Sequence, residues 1–111
     1  MGVLHEVTDT TFQNEVLESE KLTMVDFWAP WCMPCRMMTP ILEKFAGEHS
    51  DKVKIVKLNT DHNQVTSAKY GIMSIPSLLF FHKGREVKRT IGVQPAEALK
   101  AELDNLIERN V

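Results

Sequence analysis

The sequence predicts an α/β fold: a central mixed five-stranded sheet flanked by four helices, built as a single domain over residues 1–111. Three observations carry that expectation. Apolar residues switch repeatedly between a period of two and a period near 3.6, so strand and helix candidates alternate along the chain. "LTMVDFWA" (22–29) is an almost unbroken apolar run, as a strand covered on both faces requires. Near the C-terminal end, "SLLFFH" and "EVKRTIG" flank a short "KG" turn, the signature of a hairpin.

Taken in order, "VLHEV" is a short strand, and Thr8 is placed to cap a helix with Phe12, Val16 and Leu17 on one face. The apolar strand 22–29 follows. From Pro34 the spacing becomes helical, with Met38, Ile41, Leu42 and Phe45 forming a stripe that ends near Gly47; Pro40 interrupts it and is expected to kink it. "KVKIVKLN" (52–59) alternates at period two, turning Val53, Ile55 and Leu58 inward. Thr60 or Asp61 is expected to cap a short helix bearing Val65, Ala68 and Tyr70. After the hairpin, Pro95 suits a helix start and Ala96, Leu99, Leu103 and Leu106 continue at helical spacing. The order is β-α-β-α-β-α-β-β-α. Right-handed crossovers between the first, parallel strands put the intervening helices over the sheet faces.

Composition excludes several classes. The 43% apolar and 25% charged content is that of a globular protein, and a formal net charge of -2 gives no basic face for nucleic acid. The cations Lys83, Arg85, Lys88 and Arg89 are spread along the hairpin with Glu86 among them, which reads as a solvated edge. The first twenty residues lack the apolar run of a signal peptide, no later run is long enough to span a bilayer, and Glu6 breaks a myristoylation motif at Gly2. A cytoplasmic location and no membrane partner are the expectations.

Both cysteines lie in "WCMPC" (31–35), at the carboxyl end of an interior strand and the start of the next helix. Ligand and catalytic sites of open α/β sheets sit at that edge. A helix N-terminus presents free N–H groups and a partial positive charge, which favours the thiolate that attacks disulfides. Cys32 is at that terminus and Cys35 about one turn further in, so the outer sulfur is placed to attack a substrate disulfide and the inner one to resolve the mixed disulfide. Two inert core thiols, or half of a zinc site, are the competing readings. Zinc needs four ligands, and neither a second cysteine pair nor a His-x₃₋₅-His follows; His5, His49, His62 and His82 are scattered.

Asp26 stands in "MVDFW", among apolar neighbours on a strand covered on both sides. A carboxylate there is costly unless paired or neutral. Either a turn brings it to the surface, or burial raises its pKa and makes it a proton store for Cys35. Lys57 is its natural partner on the adjacent strand, although strand register is not readable from sequence.

"VDFWAPWCMPCRMMTPILEKFA", "VKLNTD", "YGIMSIPSLLFF", "KGREV" and "IGV" together resemble the thioredoxin family over essentially the whole chain. The resemblance implies the thioredoxin fold and reduction of protein disulfides. It implies Cys32 as nucleophile, Cys35 as resolving thiol, Asp26 as buried carboxylate with Lys57 nearby, and Pro76 as a cis-proline after Ile75. A cis bond there would set the Ile75 backbone beside Cys32, free to pair with an extended substrate segment. Trp31, Met33, Pro34, Ile75, Ile91, Gly92 and Val93 would form the contact surface around the sulfur. No bound cofactor is implied, only the redox-active Cys32–Cys35 pair; the partners implied are disulfide-containing proteins and a thioredoxin reductase, with NADPH as the usual remote electron source, and the chain is expected to be a monomer.

Met33 departs from the family's usual glycine. It either shifts redox potential and partner choice or is a tolerated surface substitution. Two rivals to the reductase reading remain on the same fold: a disulfide oxidase or isomerase, whose members usually place histidine where Pro34 stands, and a binding subunit that does not use its thiols.

Overall fold

The computed structural model describes residues 4–110. Its elements follow the expected order: β1 (His5–Glu6), a short π-helical segment (Gln13–Leu17), β2 (Leu22–Trp28), α1 (Met33–Glu48), β3 (Val53–Asn59), α2 (Gln64–Lys69), β4 (Ser77–His82), β5 (Arg85–Ile91) and α3 (Ala96–Arg109). The five strands form one sheet in the order β1-β3-β2-β4-β5. β1 and β2 run parallel to β3, while β4 is antiparallel to β2 and to β5. The predicted mixed sheet is therefore present, with β2 among its interior strands.

Both faces of the sheet are covered, which accounts for the apolar run in β2. Met24, Ile55, Leu78 and Phe80 pack beneath α1 and α3 with Met38, Leu42, Phe45, Leu99 and Leu103. On the opposite face Val25, Phe27, Val56, Leu58, Leu79 and Phe81 meet Val7, Phe12 and Val16. The hairpin turns through Lys83 (φ 53°) and Gly84 (φ 83°). Two consecutive left-handed residues are what a two-residue turn needs to match the twist of its strands.

Several local expectations change. α1 runs unbroken from Met33 to Glu48, so Pro40 does not interrupt it. The stripe expected on α2 is reversed: Val65 and Ala68 face solvent, and Thr66 is the buried residue. α2 is capped by neither Thr60 nor Asp61. Its N-cap residue is Asn63, which makes no side-chain cap bond. The cap comes from Asp9, whose carboxylate accepts the N–H groups of Val65 (3.2 Å) and Thr66 (2.8 Å) and the Thr66 hydroxyl (2.6 Å). Asn63 answers by accepting the Asp9 N–H at 2.8 Å. A reciprocal capping box is thus assembled between segments far apart in the chain. Thr8 acts one step earlier than expected, its hydroxyl accepting the Thr11 N–H at 3.3 Å ahead of the π-helical segment.

At its other end α2 closes with the Gly71 N–H on the Ala68 carbonyl and the Ile72 N–H on the Ser67 carbonyl. Gly71 adopts φ 64° there, the left-handed geometry of a Schellman stop. The chain leaves this stop directly into the loop that carries Ile75.

Burial alone would raise the Asp9 pKa, but the bonds from Thr66 and Val65 outweigh it and hold the carboxyl below 3.8. The stability it contributes is complete above that value and is lost as pH falls through the lower folded pKa. Asp9→Ala is expected to lower unfolding stability by about 1–2 kcal/mol near neutral pH, with the deficit shrinking in strong acid. Urea titrations at several pH values check this; an unchanged midpoint would contradict the cap.

Candidate functional site

Parallel pairing of β2 and β3 aligns Trp28 with Asn59, so the loops leaving their carboxyl ends emerge side by side. The Thr60 N–H and hydroxyl donate to the Trp28 carbonyl (2.9 and 3.3 Å), locking the two loops together. Three residues past Trp28, the Trp31 indole N–H donates to both oxygens of Asp61, at 3.2 and 3.0 Å. The indole is thereby oriented while remaining 70% exposed.

Cys32 and Cys35 form a disulfide, with their Cα atoms 5.3 Å apart. Cys32 is the N-cap residue of α1, and its Sγ accepts the Cys35 N–H at 3.2 Å. That donor is one of the groups a helix leaves without an intrahelical partner. Sulfur therefore occupies the position that Ser or Asp takes in an ordinary cap. Once the disulfide is reduced, the same N–H and the helix dipole stabilise negative charge on Cys32. The outer sulfur is less open than its expected position implies. Cys32 is 4% exposed and Cys35 fully buried, because Ala29, Trp28 and Ile75 pack around the pair. Cys32 still keeps the greater access of the two.

The Ile75–Pro76 bond is cis, and the Ile75 carbonyl lies 3.8 Å from Cys32 Sγ. In the disulfide the sulfur carries no proton, so this is a contact; a thiol at Cys32 has a proton to donate there. Pro76 is buried and Ile75 half-buried, while Met73 and Ser74 just before them are exposed. The Gly92 N–H donates to the Pro76 carbonyl at 2.8 Å, which draws Ile91, Gly92 and Val93 to the same rim. Pro34 is exposed, as are Met33, Ile91 and Val93, so apolar side chains surround a recessed disulfide. A groove of about 350 Å³ between Trp31, Thr60, Ile72, Met73 and Ile75 opens beside it.

Asp26 is buried, 1% exposed, and does not turn to the surface. It shares a sheet face with Met24, the face covered by α1, which carries Cys35. Strand pairing places Lys57 directly opposite it. The two nevertheless do not bond: Asp26 Oδ1 has no hydrogen-bond partner, and the Lys57 ammonium lies 4.6 Å from the centroid of the Trp28 ring, over its face. Burial pushes the Asp26 pKa up to about 7, with the Lys57 charge opposing it.

Asp61, Met73 and the Trp31–Asp61 bond were not legible as parts of a site. The signal for Asp61 and its bond is the β2–β3 register, which the sequence does not reveal; Met73 is brought to the groove by the loop between α2 and β4. Met37 is exposed and Met38 is buried in the core. Among the described residues, no group of three or more His, Cys, Asp or Glu side chains is placed to hold a metal ion, and no helix is long and apolar enough to cross a membrane.

Comparison with known proteins agrees with this geometry. The thioredoxin family model matches residues 3–105. The chain is 51% identical to a thioredoxin of Alicyclobacillus acidocaldarius over 92% of its own length and 96% of that protein's. It is 49% identical to thioredoxin 1 of Synechococcus elongatus (94% and 97% covered) and 53% identical to a thioredoxin of Streptomyces clavuligerus (88% and 91%). Family membership brings protein disulfides as substrates and a reductase as the electron source, and it does not favour the rival readings. The chain belongs to the thioredoxin family and is a thiol–disulfide oxidoreductase of the disulfide-reducing type, holding its redox equivalents in its own cysteine pair.

Proposed function

We propose that Cys32 is the attacking thiolate, Cys35 the resolving thiol and Asp26 the base that takes the Cys35 proton. The observation that carries this reading is the Cys35 N–H directed at Cys32 Sγ at 3.2 Å. In the first step the Cys32 thiolate attacks a substrate disulfide, forming a mixed disulfide and releasing one substrate thiolate. In the second, Cys35 passes its proton to the Asp26 carboxylate and attacks Cys32 Sγ. The mixed disulfide breaks, the second substrate thiolate leaves, and the Cys32–Cys35 bond closes. Two electrons pass from the dithiol to the substrate, and two protons follow.

Lys57 contributes through its charge, which keeps Asp26 from being neutral over the whole working range. Trp31, Met33, Pro34, Ile91, Gly92 and Val93 form the apolar rim that receives the substrate, and Ile75 with Pro76 supplies the backbone edge along which an extended segment pairs. Met33 occupies the first position of α1 with its side chain 62% exposed, open to contact with a substrate. The described residues share one sheet with a core on each face, in keeping with a single domain over 1–111 acting as a monomer on disulfide-containing proteins. A thioredoxin reductase returns the electrons. The cytoplasm, where thiols are kept reduced, suits a reductant of this kind.

Cys35→Ser is expected to accumulate a mixed disulfide between Cys32 and a protein substrate, seen by mass spectrometry of the trapped adduct; Cys32→Ser is expected to form none. Adducts found on Cys35 in place of Cys32 would reverse the assignment.

Asp26 titrates with the opposite sign to Asp9. Below 3.8 both folded and unfolded chains hold its proton. Between that value and about 7 only the folded chain does, so stability falls as pH rises, and above about 7 the penalty is complete. Asp26→Asn is expected to gain on the order of 2–4 kcal/mol near pH 8, vanishing near pH 4, while the second step slows about ten-fold or more near neutral pH. Denaturant titration and stopped-flow reduction read the two effects. An unchanged reduction rate would remove Asp26 from the mechanism.

A further inference from the structure

Strand β5 contains an irregularity that the proposed chemistry does not use. Along β4, Leu79 faces Arg89 and Phe80 faces Lys88, but Phe81 faces Glu86, so Val87 is an extra residue with no partner. In a regular strand, residues three apart point to opposite faces. The bulge cancels that alternation. Glu86 and Arg89 both land on the face of Phe81 and Leu79, and there they pair through two bonds, from Arg89 Nε and from an Arg89 terminal nitrogen (2.9 Å). That same nitrogen also donates to the Tyr70 carbonyl at 2.9 Å.

Tyr70 is the C-cap residue of α2, from which the loop to Ile75 departs. Its ring is already held edge-on against Phe81, with centroids 5.2 Å apart. The far end of the loop is tied to the residue just after β5, through the Gly92 N–H on the Pro76 carbonyl. The edge strand and the residue that follows it thus grip both ends of the segment, with Ile75, beside the far anchor, lying against Cys32. Bulges recur beside active sites, where they re-aim side chains.

We infer that Arg89, oriented by Glu86 across the bulge at Val87, is a positioning residue for disulfide exchange, fixing the root of the loop that presents Ile75 to the substrate. The inference rests on the reading that the Ile75 backbone receives the substrate. Arg89 touches no reacting atom. A guanidinium serves where an ammonium does not, because its planar fork binds a carboxylate with two N–H groups and still has one for a carbonyl.

Hydrogen–deuterium exchange and steady-state reduction of a protein disulfide, read together on Arg89→Gln and Arg89→Lys, test this. For Arg89→Gln, amide exchange across 72–75 is expected to speed up about ten-fold, and KM to rise about three- to ten-fold with kcat little changed. Arg89→Lys is expected to recover part of both effects, and Glu86→Gln to show the same trend more weakly. Unchanged loop exchange would overturn the clamp itself. Faster exchange with unchanged KM would leave the clamp standing but defeat the substrate-receiving role of the loop, and with it the positioning claim. A KM rise that appears only where the thermal midpoint falls into the assay range, and that Arg89→Lys does not rescue, would overturn the inference as mere loss of folded protein.

Discussion

A single backbone N–H, that of Cys35, organises the chemistry of this fold. Helix α1 leaves it without an internal partner, and Cys32 Sγ stands where a capping oxygen would. Everything else holds that geometry in place. Met38, Leu42 and Phe45 anchor α1 in the core, so the helix cannot turn its N-terminus away without losing buried apolar contacts. β2 delivers Cys32 to the sheet edge, and its parallel pairing with β3 brings the loop of Asp61 alongside to orient Trp31. The Cys32 sulfur is held in place by packing remote from it.

The same core accepts a costly group. Asp26 is buried with an unbonded oxygen, and Lys57 opposite it interacts with the Trp28 ring rather than closing on the carboxylate. A closed ion pair would lower the Asp26 pKa and leave its carboxylate a weaker proton acceptor. Left unbonded, it titrates near the pH at which the chemistry runs. Stability given up at one buried residue is a recurrent feature of active sites. Asp9 makes the contrast: another carboxylate, fully bonded at a helix start, with its pKa moved in the other direction.

The fold was legible wherever burial on both faces or strict periodicity left one solution. The run from Leu22 to Ala29, the α1 stripe and the hairpin turn at Lys83 and Gly84 all belong to this class. α2 was misread because six residues carry too little periodicity to overrule a long-range contact, and its cap comes from Asp9, more than fifty residues earlier in the chain. For the site, Cys32 and Cys35 announce themselves by spacing and Asp26 by its apolar neighbours. Asp61 and Arg89 do not, because each matters through register: one through the β2–β3 alignment, the other through a bulge that reverses which face a charge occupies. Arg89, which reads as one of several solvated cations, instead binds a loop carbonyl.

The most direct measurement is the alkylation rate of Cys32 in the reduced protein as a function of pH, compared with a free cysteine thiol. A sulfur held as an anion by the Cys35 N–H and the α1 terminus reacts at neutral pH faster than free cysteine and titrates below about 8.5, the pKa of an unperturbed thiol. A Cys32 that alkylates no faster than free cysteine and titrates at the ordinary value would contradict the account at its root.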